Sequence, residues 1–254
     1  MSRNNPKAMD LFCGCGGTTQ GLRDAGFSVI AGVENNALAI ATYRENHPRT
    51  KVWYDDICDL KPQKLLRHHG LRKGELDLLT GCPPCQAFSS MRRLNGKRRV
   101  RDRESKDLVF EYLRFVEGLK PKVVMIENVP RLIDDYRFNQ VRKRLRTLGY
   151  AGQPAIFNAA DCGVAQRRHR MVYVASRVGK IEYADAVEED ARMTVRDMIG
   201  DMTSPGNSGD PLHDFPESRS QRIVDLIAAI PKDGGSRSAL GNRKQLKCHT
   251  KCNG

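Results

Sequence analysis

Long apolar runs, apolar residues in general and acid to balance base are all scarce in this 254-residue sequence. No stretch approaches the about 20 consecutive apolar residues that a membrane-crossing helix needs. The opening MSRNNPKAMDLF holds no apolar segment of the signal-peptide kind. Together these absences predict a cytoplasmic protein whose eight cysteines are mostly reduced thiols. Hydrophobic residues make up 39% of the chain, below average but enough for a core. Lysine and arginine number 43 against 30 aspartates and glutamates, a net charge of +13. Such an excess either serves a polyanionic partner, most simply nucleic acid, or is a solvated basic surface. There is no GxxxxGK[ST] phosphate loop, so nothing argues for a nucleoside triphosphate. No internal repeat is visible.

Strand-like and helix-like stretches alternate through residues 7–177. AMDLF, FSVIAGVE, KVWY, ELDLLTG, KVVMIENV and RMVYVASR read as strands. TTQGLRDAG, NALAIATYREN, PQKLLRHHG, SKDLVFEYLRFVEGL and FNQVRKRLRTLG read as helices between them. Short runs rich in Val, Ile and Leu separated by helices predict an α/β fold with a mainly parallel, doubly wound sheet. Ligands of such sheets bind at the carboxyl ends of the strands. Past residue 178 the alternation degrades into a loop-rich stretch with one further helix, SQRIVDLIAAI, and then a polar tail from about residue 236.

The candidate chemistry sits where strands end. In DLFCGCGG, residues 10–17, Gly14, Gly16 and Gly17 allow a tight turn and a close approach to a ligand. Glu34 ends the second strand, where an acid can bind a ribose diol. Asp56 follows the third and can accept from an adenine amino group. Singly, each acid reads as a solvated or capping carboxylate; in series they point to a nucleoside. GCPPCQAFSS, residues 81–90, carries Cys82 and Cys85. A CxxC pair can be a redox centre, but two intervening prolines fit poorly at a helix start. A zinc clip needs more ligands, and KCHTKC near the end is a weak source of them. The remaining reading makes one thiol a nucleophile. Glu127, in VVMIENVP, lies where a buried strand meets a cleft, either as a proton-holding acid or as the partner of an arginine. QRRHR, residues 166–170, supplies Arg168 and Arg170, which strand alternation would put on one face.

Taken in order, DLFCGCGG, GCPPCQAFS, ENV and QRRHR resemble the DNA cytosine-5 methyltransferase family from about residue 8 to residue 177. The resemblance implies a Rossmann-like S-adenosylmethionine-dependent catalytic domain over residues 1–178. A loop-rich extension with a helix then covers 179–235, and 236–254 is the start of a target-recognition region. Cys85 would be the nucleophile, Glu127 the acid at the base's pairing edge, Arg168 the group that holds the base O2 and favours the thiolate, and Arg170 a further catalytic residue. Phe12, Gly14, Gly16, Gly17, Glu34, Asp56, Ile57, Pro83 and Leu108 would line the site for S-adenosyl-L-methionine. The partner implied is double-stranded DNA, met by Gln86, Ser89, Arg92, Arg93, Lys97, Arg98, Arg99 and Gln166, five of them in the basic stretch MRRLNGKRRVRDR. The family's Asn-Pro motif near its C-terminus has no counterpart here. The chain is therefore expected to be a fragment, or half of an enzyme whose second subunit carries the rest. Two rival readings stand: the same chemistry on transfer RNA, and a non-catalytic nucleic-acid-binding module.

Overall fold

The computed structural model describes residues 5–84, 107–232, 235–241 and 244–245. Contacts divide the chain into two units, Met1–Thr194 and Val195–Gly254.

The first unit is built on seven strands: β1 (Lys7–Leu11), β2 (Ser28–Glu34), β3 (Lys51–Tyr54), β4 (Leu78–Gly81), β5 (Val123–Asn128), β6 (Ala151–Asn158) and β7 (His169–Ser176). They lie in the order β3-β2-β1-β4-β5-β7-β6. Neighbours from β3 to β5 pair in parallel, and β7 runs antiparallel to both β5 and β6. The strand order reverses on either side of β1, so the ends of β1 and β4 open a crevice at the switch point.

Five helices of this unit follow from local signals. α1 (Gly17–Asp24) starts at Gly16, whose φ of 97° only glycine adopts freely. Asn36 caps α2 (Ala37–Asn46) by accepting from the amides of Leu38 and Ala39. α3 (Pro62–His68) begins on a proline, whose missing N–H costs nothing in a first turn. α4 (Leu108–Leu119) buries Val109, Tyr112, Phe115, Val116 and Leu119, a stripe of helical period. Asp135 caps α5 (Tyr136–Thr147) and, with Asp107, brackets Arg137 at 2.9 and 2.8 Å, tying the start of α5 to the start of α4.

The main core lies under α3, α4 and α5, where Met9, Leu11, Leu79, Val124 and Ile126 present one face of the sheet. A smaller cluster on the other face joins Ala8, Val29 and Leu78 to Leu22 of α1. Beside it a groove of about 460 Å³ is lined by Leu78, Val123, Met125 and Val174. Val123 and Met125 are therefore half-buried, whereas Val124 and Ile126, between them on the strand, are sealed.

Two features depart from the sequence reading. The strand expected over ELDLLTG starts only at Leu78. Glu75 is engaged with Arg72, and Asp77 accepts from Lys122 and from the Lys7 amide. β6 was not expected at all.

The second unit holds α6 (Val195–Ile199) and α7 (Gln221–Ala228) among its described residues. Between them Asp214 accepts from the amides of Gly206, Ser208 and Gly209 and from the Ser208 hydroxyl. Those donors hold its carboxyl at about 2.

Candidate active site

The carboxyl ends of β1 to β5 bring the sequence-selected residues to one rim. After β1 the chain enters the left-handed region at Phe12 (φ 58°), Gly14 (54°) and Gly16 (97°). For phenylalanine this conformation costs about 1–3 kcal/mol and persists only where surrounding contacts enforce it. Here the Cys13 amide continues the ladder to the Val33 carbonyl at 3.1 Å, and the Gly16 amide closes a turn onto Cys13 at 2.9 Å. A methyl group placed on Gly14 or Gly17 would meet no atom within 4 Å, so the space above the turn is open.

Glu34 is the anchor of this turn. Its Oε2 accepts from the Gly14 amide at 3.0 Å, and its Oε1 from the amides of Asn35 and Asn36, both at 2.9 Å. A carboxylate has about four acceptor positions, so one on Oε2 remains for a hydroxyl donor. Past β3, Asp56 is exposed and accepts from the Cys58 amide at 2.8 Å, while Ile57 is buried. Arg114 of α4 donates to the carbonyls of Ile57 at 2.5 Å and Leu60 at 3.1 Å, and this pins the loop. Leu108, half-buried, opens α4 and packs on the core.

Beneath the turn lies a buried polar group that the sequence did not suggest. Asp10 is fully buried, and its Oδ2 accepts from the Thr19 hydroxyl at 2.8 Å, which is met in turn by the Tyr43 hydroxyl at 2.9 Å. Its Oδ1 has no partner, and neither has the hydroxyl of Thr80, its register neighbour on β4. Burial raises the Asp10 carboxyl from 3.8 to about 7, against the lowering effect of Thr19. Buried acceptors left open beside a glycine turn, below an oriented glutamate, fit a polar ligand that carries donors. S-adenosylmethionine, with an ammonium group and a ribose diol, satisfies that donor set.

On the other side of the crevice, β4 leads into Cys82, Pro83 and Pro84. The Cys82 amide donates to the Leu11 carbonyl at 3.3 Å, and Asn128 at the end of β5 donates from Nδ2 to the Pro83 carbonyl at 2.8 Å. Burial, chiefly, pushes the Cys82 thiol up to about 12. A redox pair needs a thiol that ionises readily, and burial works against that in Cys82. Cys85 itself, with Gln86, Ser89, Arg92, Arg93, Lys97, Arg98 and Arg99, lies outside the described residues, as do the possible zinc ligands Cys248, His249 and Cys252.

Glu127 and Arg170 are an ion pair, Oε1 to Nε at 2.8 Å, each about one-third exposed or less. Of the two alternatives the sequence left for Glu127, the structure shows the arginine partner. Arg168 precedes β7 rather than lying in it, with an exposed side chain. Its amide donates to Asn158 at 3.1 Å and its carbonyl accepts from Ala159. Gln166 is exposed in the same loop. Asp10, Thr19, Arg114 and Asn128 escaped the sequence reading because each acts through a contact between distant segments. Only Asn128 had a local signal, as the residue beside Glu127.

A mainly parallel α/β sheet with a glycine turn, a series of strand-end acids and a half-buried Glu–Arg pair defines an enzyme fold of the Rossmann-like type. The family profile described as C-5 cytosine-specific DNA methylase matches residues 7–231, and the chain belongs to that family. It is 36% identical over 177 residues to the Type II methyltransferase M.AgeI of Thalassovita gelatinovora, covering 68% of this chain and 40% of that protein. It is 31% identical over 238 residues to M1.HphI of Haemophilus parahaemolyticus, covering 91% and 62%. The chain thus spans roughly half the length of such relatives. Among solved structures, a prophage-encoded protein of E. coli assigned to the DNA modification methyltransferases aligns with a TM-score of 0.60 at 27% identity, over 76% of this chain and 53% of that one. DNMT2 of Spodoptera frugiperda, at 23% identity and a TM-score of 0.55 over 68% and 50% of the two chains, shares the fold.

Proposed function

We propose that this chain carries the donor-binding and catalytic part of an enzyme that methylates carbon 5 of cytosine in DNA. The observation that carries the reading is the crevice at the β1/β4 switch point. An oriented Glu34 lies on one side, above the unpartnered buried Asp10 and Thr80, and the Glu127–Arg170 pair lies at the end of β5. Similarity to Type II methyltransferases supports a modification system as its setting.

S-adenosylmethionine, when bound, supplies an electrophilic methyl group. Its ribose fits the free position on Glu34, its adenine the loop at Asp56 and Ile57, and Phe12, Gly14, Gly16, Gly17, Pro83 and Leu108 complete the wall. The target base must leave the duplex to enter the crevice. The Cys85 sulfur then forms a bond to carbon 6, which makes carbon 5 nucleophilic. Glu127, held by Arg170, meets the pairing edge of the base and relieves the charge that builds on N3. Arg168 holds the O2 side. Once carbon 5 carries the methyl group, a base removes its proton and the electron pair expels the Cys85 thiolate. The arginines of residues 91–103 contact phosphates and orient the duplex.

Incubation with methyl-labelled donor and either duplex DNA or transfer RNA tests the substrate. Label recovered as 5-methylcytosine from DNA supports the reading. Label in RNA alone, or on a different ring position, contradicts it.

A further inference from the structure

One buried cluster behind the glycine turn has no part in the chemistry above. His47 follows α2 with its ring buried. Its Nε2 lies 3.0 Å from the Gly16 carbonyl oxygen and its Nδ1 2.9 Å from Nη1 of Arg23. A guanidinium can only donate. Nδ1 must therefore offer a lone pair, and Nε2 carries the proton and donates it to Gly16. Arg23 donates through Nη2 to the Thr50 hydroxyl at 2.9 Å, which donates to the Val29 carbonyl at 2.8 Å. Arg23 donates along both arms of this chain, toward Gly16 through His47 and toward Val29 through Thr50, and a single neutral tautomer of His47 satisfies it. The approach is close: a methyl group on Gly16 would stand 2.3 Å from the ring. The ring also packs on Tyr43 with centroids 4.8 Å apart, and the Tyr43 hydroxyl reaches Thr19 and, through it, Asp10.

We propose that His47 is a positioning residue of the donor site, bracing the Gly16 turn against Arg23 through its Nε2–H tautomer and losing the Arg23 arm of that brace when Nδ1 takes a second proton. The proposal rests on the donor-site reading given above. A second proton would fall on Nδ1, facing Arg23 and leaving that guanidinium without an acceptor. The groups around the ring are Arg23 from α1, Tyr43 from α2, the neutral Thr50 and, behind Thr19, Asp10. Burial and the Arg23 charge hold the ring below its ordinary 6.5. The clamp is then intact at neutrality and loses its Arg23 arm in acid, because a lowered histidine contributes above its unfolded pKa and fails as pH falls through its folded one.

Two measurements on the whole chain test this. Long-range proton–nitrogen NMR of the His47 ring should show one Nε2–H tautomer at neutral pH, and a tautomer mixture would overturn the proposal whether or not donor binds. Calorimetry with S-adenosylmethionine should show His47→Leu binding at least about ten-fold more weakly than wild type, the scale of a lost buried hydrogen bond. Glutamine can donate to Gly16 and accept from Arg23 without titrating, so His47→Gln should bind within about three-fold of wild type at pH about 7.5 and gain on it as acid protonates the wild-type ring. Both proteins keep Asp10, so its titration cancels in the comparison. Equal affinity of His47→Leu and wild type, or a His47→Gln curve parallel to wild type at every pH, would overturn the clamp. A wild type with the single tautomer and no donor binding overturns the donor site instead.

Discussion

Glu34 does two tasks with one carboxylate. Three backbone amides fix its position, and the acceptor position left over is the one offered to a ribose. Glu34→Gln keeps the size but puts an NH₂ group against amides that need acceptors. Its donor affinity should fall by roughly ten- to hundred-fold, about 1.5–3 kcal/mol for hydrogen bonds to a charged group, as read by calorimetry. Asp10 gives a pH signature in stability. Its carboxyl lies at about 7 in the fold against 3.8 when free, so the folded state binds more protons between those values. The Asp10 contribution to stability is then fullest below about 4 and falls as pH rises toward 7. Asp10→Asn removes that slope: its melting temperature relative to wild type should climb across this window, and a constant difference would refute the assignment. Asn128 closes the crevice on the other side. Asn128→Ala strands the buried Pro83 carbonyl and should lower stability by about 1–3 kcal/mol in chemical denaturation.

Among the elements, those with a strong pattern were legible in the sequence. β1, β2, β3 and β5 and the five α-helices among the first unit's described residues fall where apolar period, caps and turn residues put them, and the strand ends carry the acids. β6 was not legible for a physical reason. AGQPAIFN alternates weakly and contains Gly152 and Pro154, which a sheet tolerates at an edge, and β6 is the edge strand. The reversal of β7 was also hidden, because direction is decided by which neighbour it pairs with and not by its composition. The Glu127–Arg170 contact depends on that reversal: Glu127 faces Val172 in the register, and Arg170 lies just beyond. Between β4 and β5, the Tyr112 hydroxyl donates to the carbonyls of Leu79 at 2.9 Å and Met125 at 3.1 Å. Its ring leaves no room on Gly81, where a methyl group would come within 2.6 Å. Gly81→Ala should therefore displace the strand that leads to Cys85 and cost about 1–3 kcal/mol.

At the scale of the whole molecule, the net charge of +13 and the arginines of residues 91–103 predict salt-dependent binding. Replacing Arg98 and Arg99 together by alanine should weaken duplex binding about equally across sequences and lower the slope of log affinity against log salt by about 2. A sequence-dependent loss with no change of slope would mean that these side chains read bases. The family was legible from motif order alone, whereas the Asp10 and His47 networks were not, since they join residues from separate elements.

All of this converges on the sulfur of Cys85. Duplex DNA carrying 5-fluorocytosine blocks the last proton removal, so the sulfur that has added to carbon 6 cannot leave. With S-adenosylmethionine present, mass spectrometry of the wild type should show protein joined to methylated DNA, and Cys85→Ser should show none. An adduct of equal yield in Cys85→Ser, or one that maps to Cys82, would contradict the account.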